Sequence, residues 1–223
     1  QRVGAAPLPA VARTPQSQPT ADLLNRWIDE ARRILAAHPP ANMLTLRGLA
    51  KDPGLPKFGQ VYGLRAAAVA VYPMYKGVAR LVGMDIVDSI GETPADEFET
   101  VRQNWDRYDF FFIHIKKTDS YGEDGNFDAK VHVIEQVDEA LPKLLDLKPD
   151  VLVVTGDHST PCALKSHSWH PLPILLSATY ARQDPVTRFG ETACLGGSLG
   201  RMRHVDILPL AMAHALRLTK YGA

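Results

Sequence analysis

Two neighbouring side chains, Asp157 and His158, follow the short apolar run Val151-Leu152-Val153-Val154 across Thr155 and Gly156. A carboxylate oxygen and an imidazole nitrogen offered from one backbone position suit a divalent transition-metal ion. Taken alone, the pair suits a plain turn just as well. A second strand-like run, residues 108–115, gives way to Lys116-Lys117-Thr118-Asp119-Ser120-Tyr121-Gly122-Glu123-Asp124-Gly125, which reads as a carboxylate-rich loop punctuated by glycine. A third piece, Lys165-Ser166-His167-Ser168-Trp169-His170-Pro171, precedes the apolar run 172–176. Three loops at strand ends therefore carry Asp119, Glu123, Asp157, His158 and His167. Oxygen and nitrogen donors of this kind are predicted to converge as one metal site.

Such a site needs buried strands that all deliver polar groups to one edge of a sheet, where open α/β folds place their ligands. The pattern supplies them. Residues 1–20 hold prolines at 7, 9, 15 and 19 with no periodicity and read as a linker or surface arm. Leu23, Leu24, Trp27, Ile28, Ala31, Ile34 and Leu35 recur at helical spacing and predict a helix over 22–38, stopped by Pro39-Pro40. Short strands are expected at 43–46 and 66–71, and a helix at 74–82. Thr93 can cap a helix through Phe98, Val101 and Trp105; a helix over 128–145 and the strands 108–115, 151–154 and 172–176 follow. A final helix spans about 205–218. Helices alternating with buried strands predict a parallel sheet covered on both faces.

The order HIKKTD…GEDG, TGDHSTP and SHSWHP resembles the archaeal-type, 2,3-bisphosphoglycerate-independent phosphoglycerate mutases of the alkaline-phosphatase superfamily. Residues 40–48 and 62–68 resemble that family's inserted domain. The resemblance implies an α/β fold, a doubly wound, mostly parallel sheet of the alkaline-phosphatase type that is incomplete here, with a smaller α+β inserted domain. It divides the chain into an arm (1–20), an inserted substrate-covering domain (21–84) and a metal-binding domain (85–223). It implies interconversion of 3- and 2-phosphoglycerate, a step of glycolysis and gluconeogenesis, through a phosphoserine. Two divalent ions would assist, manganese first and magnesium or zinc as alternatives. Asp157 and His158 match the ligands of the ion that activates the serine, and Asp119 and His167 match ligands of the other. The family's remaining ligand is a histidine in a Gly-His-Asp-Gly run, where this chain has Gly122-Glu123-Asp124-Gly125. Glu123 can still ligate a hard ion. Arg65, Arg47 and Lys116 are the candidates for the substrate's phosphate and carboxylate, arginine by its bidentate fork.

The family's serine lies ahead of the inserted domain, and nothing in residues 1–20 plays that part. The expectation is a carboxyl-terminal portion of a longer enzyme, inactive by itself and completed by the missing amino-terminal portion. The competing readings are a metal-dependent phosphatase or phosphonate-processing relative, which Glu123 keeps alive, and a non-catalytic fragment.

Composition sets outer bounds. Apolar residues make up 45% and charged residues 22% of the 223, enough for an ordinary core. Lys plus Arg and Asp plus Glu are 25 each, so no charge footprint points to nucleic acid or an anionic membrane. No apolar run approaches the roughly 20 residues that cross a bilayer. Cys162 and Cys194 lack zinc-ribbon spacing and read as small buried residues of a reduced, cytoplasmic protein. His114, inside an apolar strand, reads as a hydrogen-bonded core histidine. His170 reads as a residue that shapes the loop beside His167, and residues 196–200 as a flexible turn rather than a phosphate loop.

Overall fold

The computed structural model describes residues 7–46 and 48–218. Its contacts divide the chain into two units, Gln1–Gly54 and Leu55–Ala223.

The first unit holds one long helix, α1 (Gln18–Leu35). Pro19 sits in its first turn, where a missing N–H costs nothing. Asn25 ties the proline-rich arm to this helix: its amide accepts from the Ala10 N–H at 2.8 Å and donates to the Ala10 carbonyl at 3.0 Å. The strand expected at 43–46 does not form, and those residues have no regular structure. A strand is defined by its partner, and no ladder is paired to these four residues.

In the second unit, α2 (Phe58–Tyr62) ends at Gly63, whose φ of 65° provides the left-handed stop. Next come β1 (Ala66–Ala70), α3 (Pro73–Leu81), β2 (Asp85–Ile86), α4 (Pro94–Gln103) and β3 (Phe110–His114). The three strands form a parallel sheet in the order β2-β1-β3, with Ala66 opposite Phe110 and Ala70 opposite His114. β1 is buried at every position, as a central strand covered on both faces must be. α4 is capped as its sequence predicts: Thr93 and Asp96 exchange backbone-to-side-chain hydrogen bonds of 3.2 and 3.1 Å. It buries Phe98 and Val101 against Val69. Each such side chain stabilises the fold by about 1.5–3 kcal/mol. Helices α6 (Phe127–Ala140) and α7 (Pro142–Leu145) add Ala140 and Leu144 to the same core.

Three expectations are corrected here. The loop expected at 116–125 is mostly a helix, α5 (Lys117–Asp124), closed by Gly125 at φ 72°. Its interior Gly122 has a packing reason, because a Cβ there would lie 2.3 Å from the Thr160 carbonyl oxygen. Second, the last predicted strand forms as β5 (Leu175–Ala178) and runs antiparallel to β4 (Val151–Val154). No helix lies between them, so the usual crossover of a parallel pair is missing, and Val151 stands opposite Ala178. Third, a boundary at 84/85 does not match the compact units. β1 is hydrogen-bonded on both edges, to β2 and to β3, so residues 66–70 are not separable from the sheet-bearing region. The chain closes with α8 (Glu191–Cys194) and α9 (Ile207–His214), the latter shorter than expected. No helix among the described residues is long and apolar enough to cross a membrane.

Candidate metal centre

Parallel strands β1 and β3 end together at Ala70 and His114. Beyond these ends stand Tyr75 on α3 and Lys116 and Asp119 at the start of α5, and β4 delivers Asp157 and His158 to the same place. Residues 166–170 are held against this loop by the Ser168 N–H, which donates to the Ser159 carbonyl at 2.8 Å. That bond brings His167 in, its ring 3.8 Å from that of His158 between centroids.

The five expected ligands form one connected cluster. His167 Nε2 lies 3.5 Å from Asp119 Oδ1 and 3.6 Å from Glu123 Oε1. His158 Nδ1 lies 3.8 Å from Asp119 Oδ1, and its Nε2 lies 3.4 Å from Asp157 Oδ2. Asp119, His158 and His167 each offer a donor atom within 4.8 Å of the others. Ligands bound at about 2.0–2.2 Å around a tetrahedral ion sit roughly 3.3–3.6 Å from one another, a spacing met by His167 with Asp119 and Glu123 and by His158 Nε2 with Asp157. Asp119 and Glu123 reach it together because four residues of helix separate them, which puts both on one face.

Thr160 sets the protonation pattern. It is 3% exposed, and its hydroxyl donates to Asp119 Oδ1 at 2.5 Å. Having given its one proton, that oxygen can only accept from His158 Nδ1, 3.1 Å away. The imidazole then carries its proton on Nδ1 and leaves the Nε2 lone pair free for an ion. Burial pushes the Asp119 carboxyl up, but the bonds from Lys116 and Thr160 and the charge of Lys116 outweigh it and hold Asp119 below its usual value. Asp157 is also lowered: burial opposes, and the Tyr75 hydroxyl and two backbone N–H groups prevail. Tyr75 itself is raised by burial and then by Asp157. Two carboxylates that stay ionised are what a cation site needs.

Lys116 stands in the cluster, its ammonium on Asp119 Oδ2 and 5.0 Å from the centre of the Tyr72 ring. Arg65 does not. It precedes β1 at the opposite edge of the sheet and makes a two-pronged pair with Asp109, at 3.0 and 3.1 Å. The structure gives Arg65 a local ion pair in place of the expected oxyanion contact. Arg47 lies outside the described residues. His114 departs from expectation as well: its Nδ1 is buried with no hydrogen-bond partner among the described residues, its ring stacks on Tyr75, and burial depresses its pKa. His170 pairs with Ser168 Oγ at 2.8 Å and stacks on Trp169. Cys162 Sγ lies 3.7 Å from the Tyr121 carbonyl oxygen, and Cys194 is half-buried. The glycine-rich turn at 196–200 is tied to a carboxylate, Asp184, through the Ser198 N–H and hydroxyl.

Residue types alone did not point to Tyr75, Thr160, Gly122 or Lys130, whose ammonium donates to the Thr160 carbonyl at 2.7 Å. Thr160 belongs to the TGDHSTP run and Gly122 to the GEDG run, and both could have been flagged there; Tyr75 and Lys130 carry no local signal.

Carboxylate and imidazole donors gathered beyond the ends of β3 and β4 in an α/β fold are an arrangement suited to a divalent ion. The chain belongs to the metalloenzyme superfamily, whose family profile matches residues 37–214. It is 56% identical over 201 residues to a Thermosipho africanus protein named "Probable 2,3-bisphosphoglycerate-independent phosphoglycerate mutase", covering 90% of this chain and 50% of that one. An Aquifex aeolicus protein of the same name is 49% identical over 223 residues, 100% of this chain and 55% of the relative. The chain thus spans about half the length of the curated relatives it matches. Among solved structures, the PH0037 protein from Pyrococcus horikoshii superposes with a TM-score of 0.84 at 33% identity, over 94% of this chain and 60% of its own. The cofactor-independent phosphoglycerate mutase from Thermoplasma acidophilum gives 0.63 at 28% identity, over 91% and 53%.

Proposed function

We propose that this chain supplies the metal-binding part of a cofactor-independent phosphoglycerate mutase, with the serine that accepts the phosphoryl group contributed by the remainder of the enzyme. The observation that carries the reading is the meeting of Asp119, Glu123, Asp157, His158 and His167, from three strand ends, in one cluster. It is supported by similarity to relatives that bear this name.

Asp157 and His158 would hold the ion nearest the nucleophile; Asp119, Glu123 and His167 would hold its neighbour. Bound divalent ions lower the pKa of an attacking hydroxyl and neutralise charge on the transferring phosphoryl oxygens, and manganese matches a carboxylate-rich donor set. Thr160 keeps His158 in the tautomer that presents Nε2. Lys116, neutralised by Asp119 here, is the nearest cation for a substrate oxyanion once Asp119 turns to an ion. The phosphoryl group passes to the serine and back to the adjacent hydroxyl of the glycerate, so no bisphosphoglycerate is consumed.

An enolase-coupled assay without added bisphosphoglycerate tests this on the chain joined to its serine-bearing segment. Turnover is expected with manganese, and Asp157→Asn should lower it at least about 100-fold. An unaffected Asp157→Asn enzyme would overturn the role of this cluster. Glu123, in the place of the family's histidine, favours one second reading: net release of inorganic phosphate without isomerised product would make the enzyme a phosphatase on the same scaffold.

A further inference from the structure

Tyr75 links the strand ends that carry His114 and Asp157. It projects from α3, which follows β1; its ring stacks on His114, the last residue of β3, with centroids 3.3 Å apart and planes at 23°. Its hydroxyl donates to Oδ2 of Asp157, just past the end of β4 and 82 positions away in sequence. The other oxygen of that carboxylate, Oδ1, accepts from the His158 backbone N–H at 3.0 Å. Each oxygen has therefore given one lone pair to a fixed donor and keeps another. A carboxylate held at both ends has lost its freedom to rotate, and its remaining lone pairs point along set directions.

We propose that Tyr75 is a positioning residue of the metal centre: through its hydroxyl it orients the Asp157 carboxylate so that Asp157 and His158 Nε2 address the same divalent ion. The His114 ring has an accompanying part. Stacked on Tyr75 at the sheet edge, it sets the plane in which the phenol approaches Asp157. A phenylalanine would fill the same space and keep the stack, but leave Oδ2 without its donor. The inference rests on the reading of Asp157 and His158 as ligands, and it can fail while that reading stands.

The experiment is a Mn2+ titration of the chain joined to its serine-bearing segment, following the free ion by electron paramagnetic resonance with no substrate present. Wild type, Tyr75→Phe, Asp157→Asn and the double variant are compared, each with its metal-free thermal midpoint. Tyr75→Phe should weaken one class of site about tenfold, the usual effect of removing a partner that orients a ligand. Its metal-free midpoint should fall as one hydrogen bond to a carboxylate is lost, while its circular-dichroism spectrum stays with that of wild type, so the loss of affinity is read on a folded chain. In the Asp157→Asn background the same change should cost nothing further, because coupled residues are not additive. Unaltered affinity in Tyr75→Phe, or losses that simply add, overturns the inference. Unaltered affinity in Asp157→Asn, or no Mn2+ binding by the wild-type chain, overturns it together with the ligand assignment. Failure of the mutase reading alone would appear only in the enolase-coupled assay. A measurement that needs no variant uses chain labelled with ζ-13C-tyrosine: the tyrosine resonance linked by nuclear Overhauser contact to the His114 ring should move as Mg2+ saturates the site. A resonance that stays in place at saturation overturns the proposal.

Discussion

At the scale of single residues, the chemistry is set by a few protons. Thr160 Oγ has one, and giving it to Asp119 leaves the oxygen as an acceptor for His158 Nδ1. That choice frees Nε2, the atom a metal needs. Thr160→Val has nearly the same shape and removes both bonds. It should cost about 1–3 kcal/mol of stability, the penalty for leaving buried polar partners unmatched, and weaken Mn2+ binding about tenfold. Thr160→Ser should restore both. Thermal unfolding and the Mn2+ titration check the pair; a Val variant with native affinity would show that the hydroxyl sets no tautomer. The five residues that meet in the cluster were legible as candidates from type and position, since carboxylates and imidazoles after apolar runs are visible in a sequence. Tyr75 was not, because its partner lies 82 residues away and nothing near it marks the contact. Arg65 misled because a guanidinium in sequence does not show which carboxylate it meets, and Asp109 already satisfies it.

At the scale of elements, hydrophobic period and capping chemistry predicted α3, α4, α6, β3 and β4 to within a few residues. The predictions that failed depended on long-range partners. α5 looked like a loop because its glycines are read as breakers, whereas Gly122 answers the close approach of Thr160 and Gly125 ends the helix. The direction of β5 depended on a missing crossover helix, which no local pattern announces. α4 contains a further feature that periodicity alone would not reveal. Glu97 is 2% exposed on its buried face, and its Oε2 has no hydrogen-bond partner among the described residues. Burial, with a smaller push from Asp96 and a pull the other way from Lys76 on α3, raises its carboxyl from 4.5 to about 8. The folded state therefore holds this proton longer than the unfolded chain does. The stability tied to it is complete below about pH 4.5 and is lost as pH rises towards about 8. Glu97→Gln should remove that loss. The stability difference between variant and wild type should grow by roughly 1.4 kcal/mol per pH unit inside the window and level off above it. Urea unfolding at a series of pH values measures this, and parallel profiles would show that Glu97 ionises without penalty.

At the scale of the whole molecule, the chain is two units, and all five candidate ligands belong to the second, Leu55–Ala223. Residues 48–57, which run across the boundary of the two units to the start of α2, are exposed and have no regular structure. Proteases need an extended segment of about this kind, whereas cutting inside the parallel sheet requires breaking ladders and core contacts first. Limited proteolysis should therefore cut first within residues 48–57. Mass spectrometry should then find a surviving fragment that begins in that stretch and contains β1 through α9. The three-stranded sheet that leads to Asp119 and the β4–β5 pair that leads to Asp157 are both complete in that fragment, as are Tyr75 and Thr160, so its Mn2+ affinity should equal that of the intact chain. A first cut between residues 85 and 114 would contradict the division seen here, because β2 and β3 flank β1 in one sheet and α4 packs its Phe98 and Val101 into the core beside it. Loss of ion binding in an otherwise folded fragment would mean that the first unit shapes the metal centre. Retained binding would leave the first unit a role in substrate handling, the part that the resemblance assigned to residues 21–84, and would locate the ion chemistry wholly in the sheet-bearing unit.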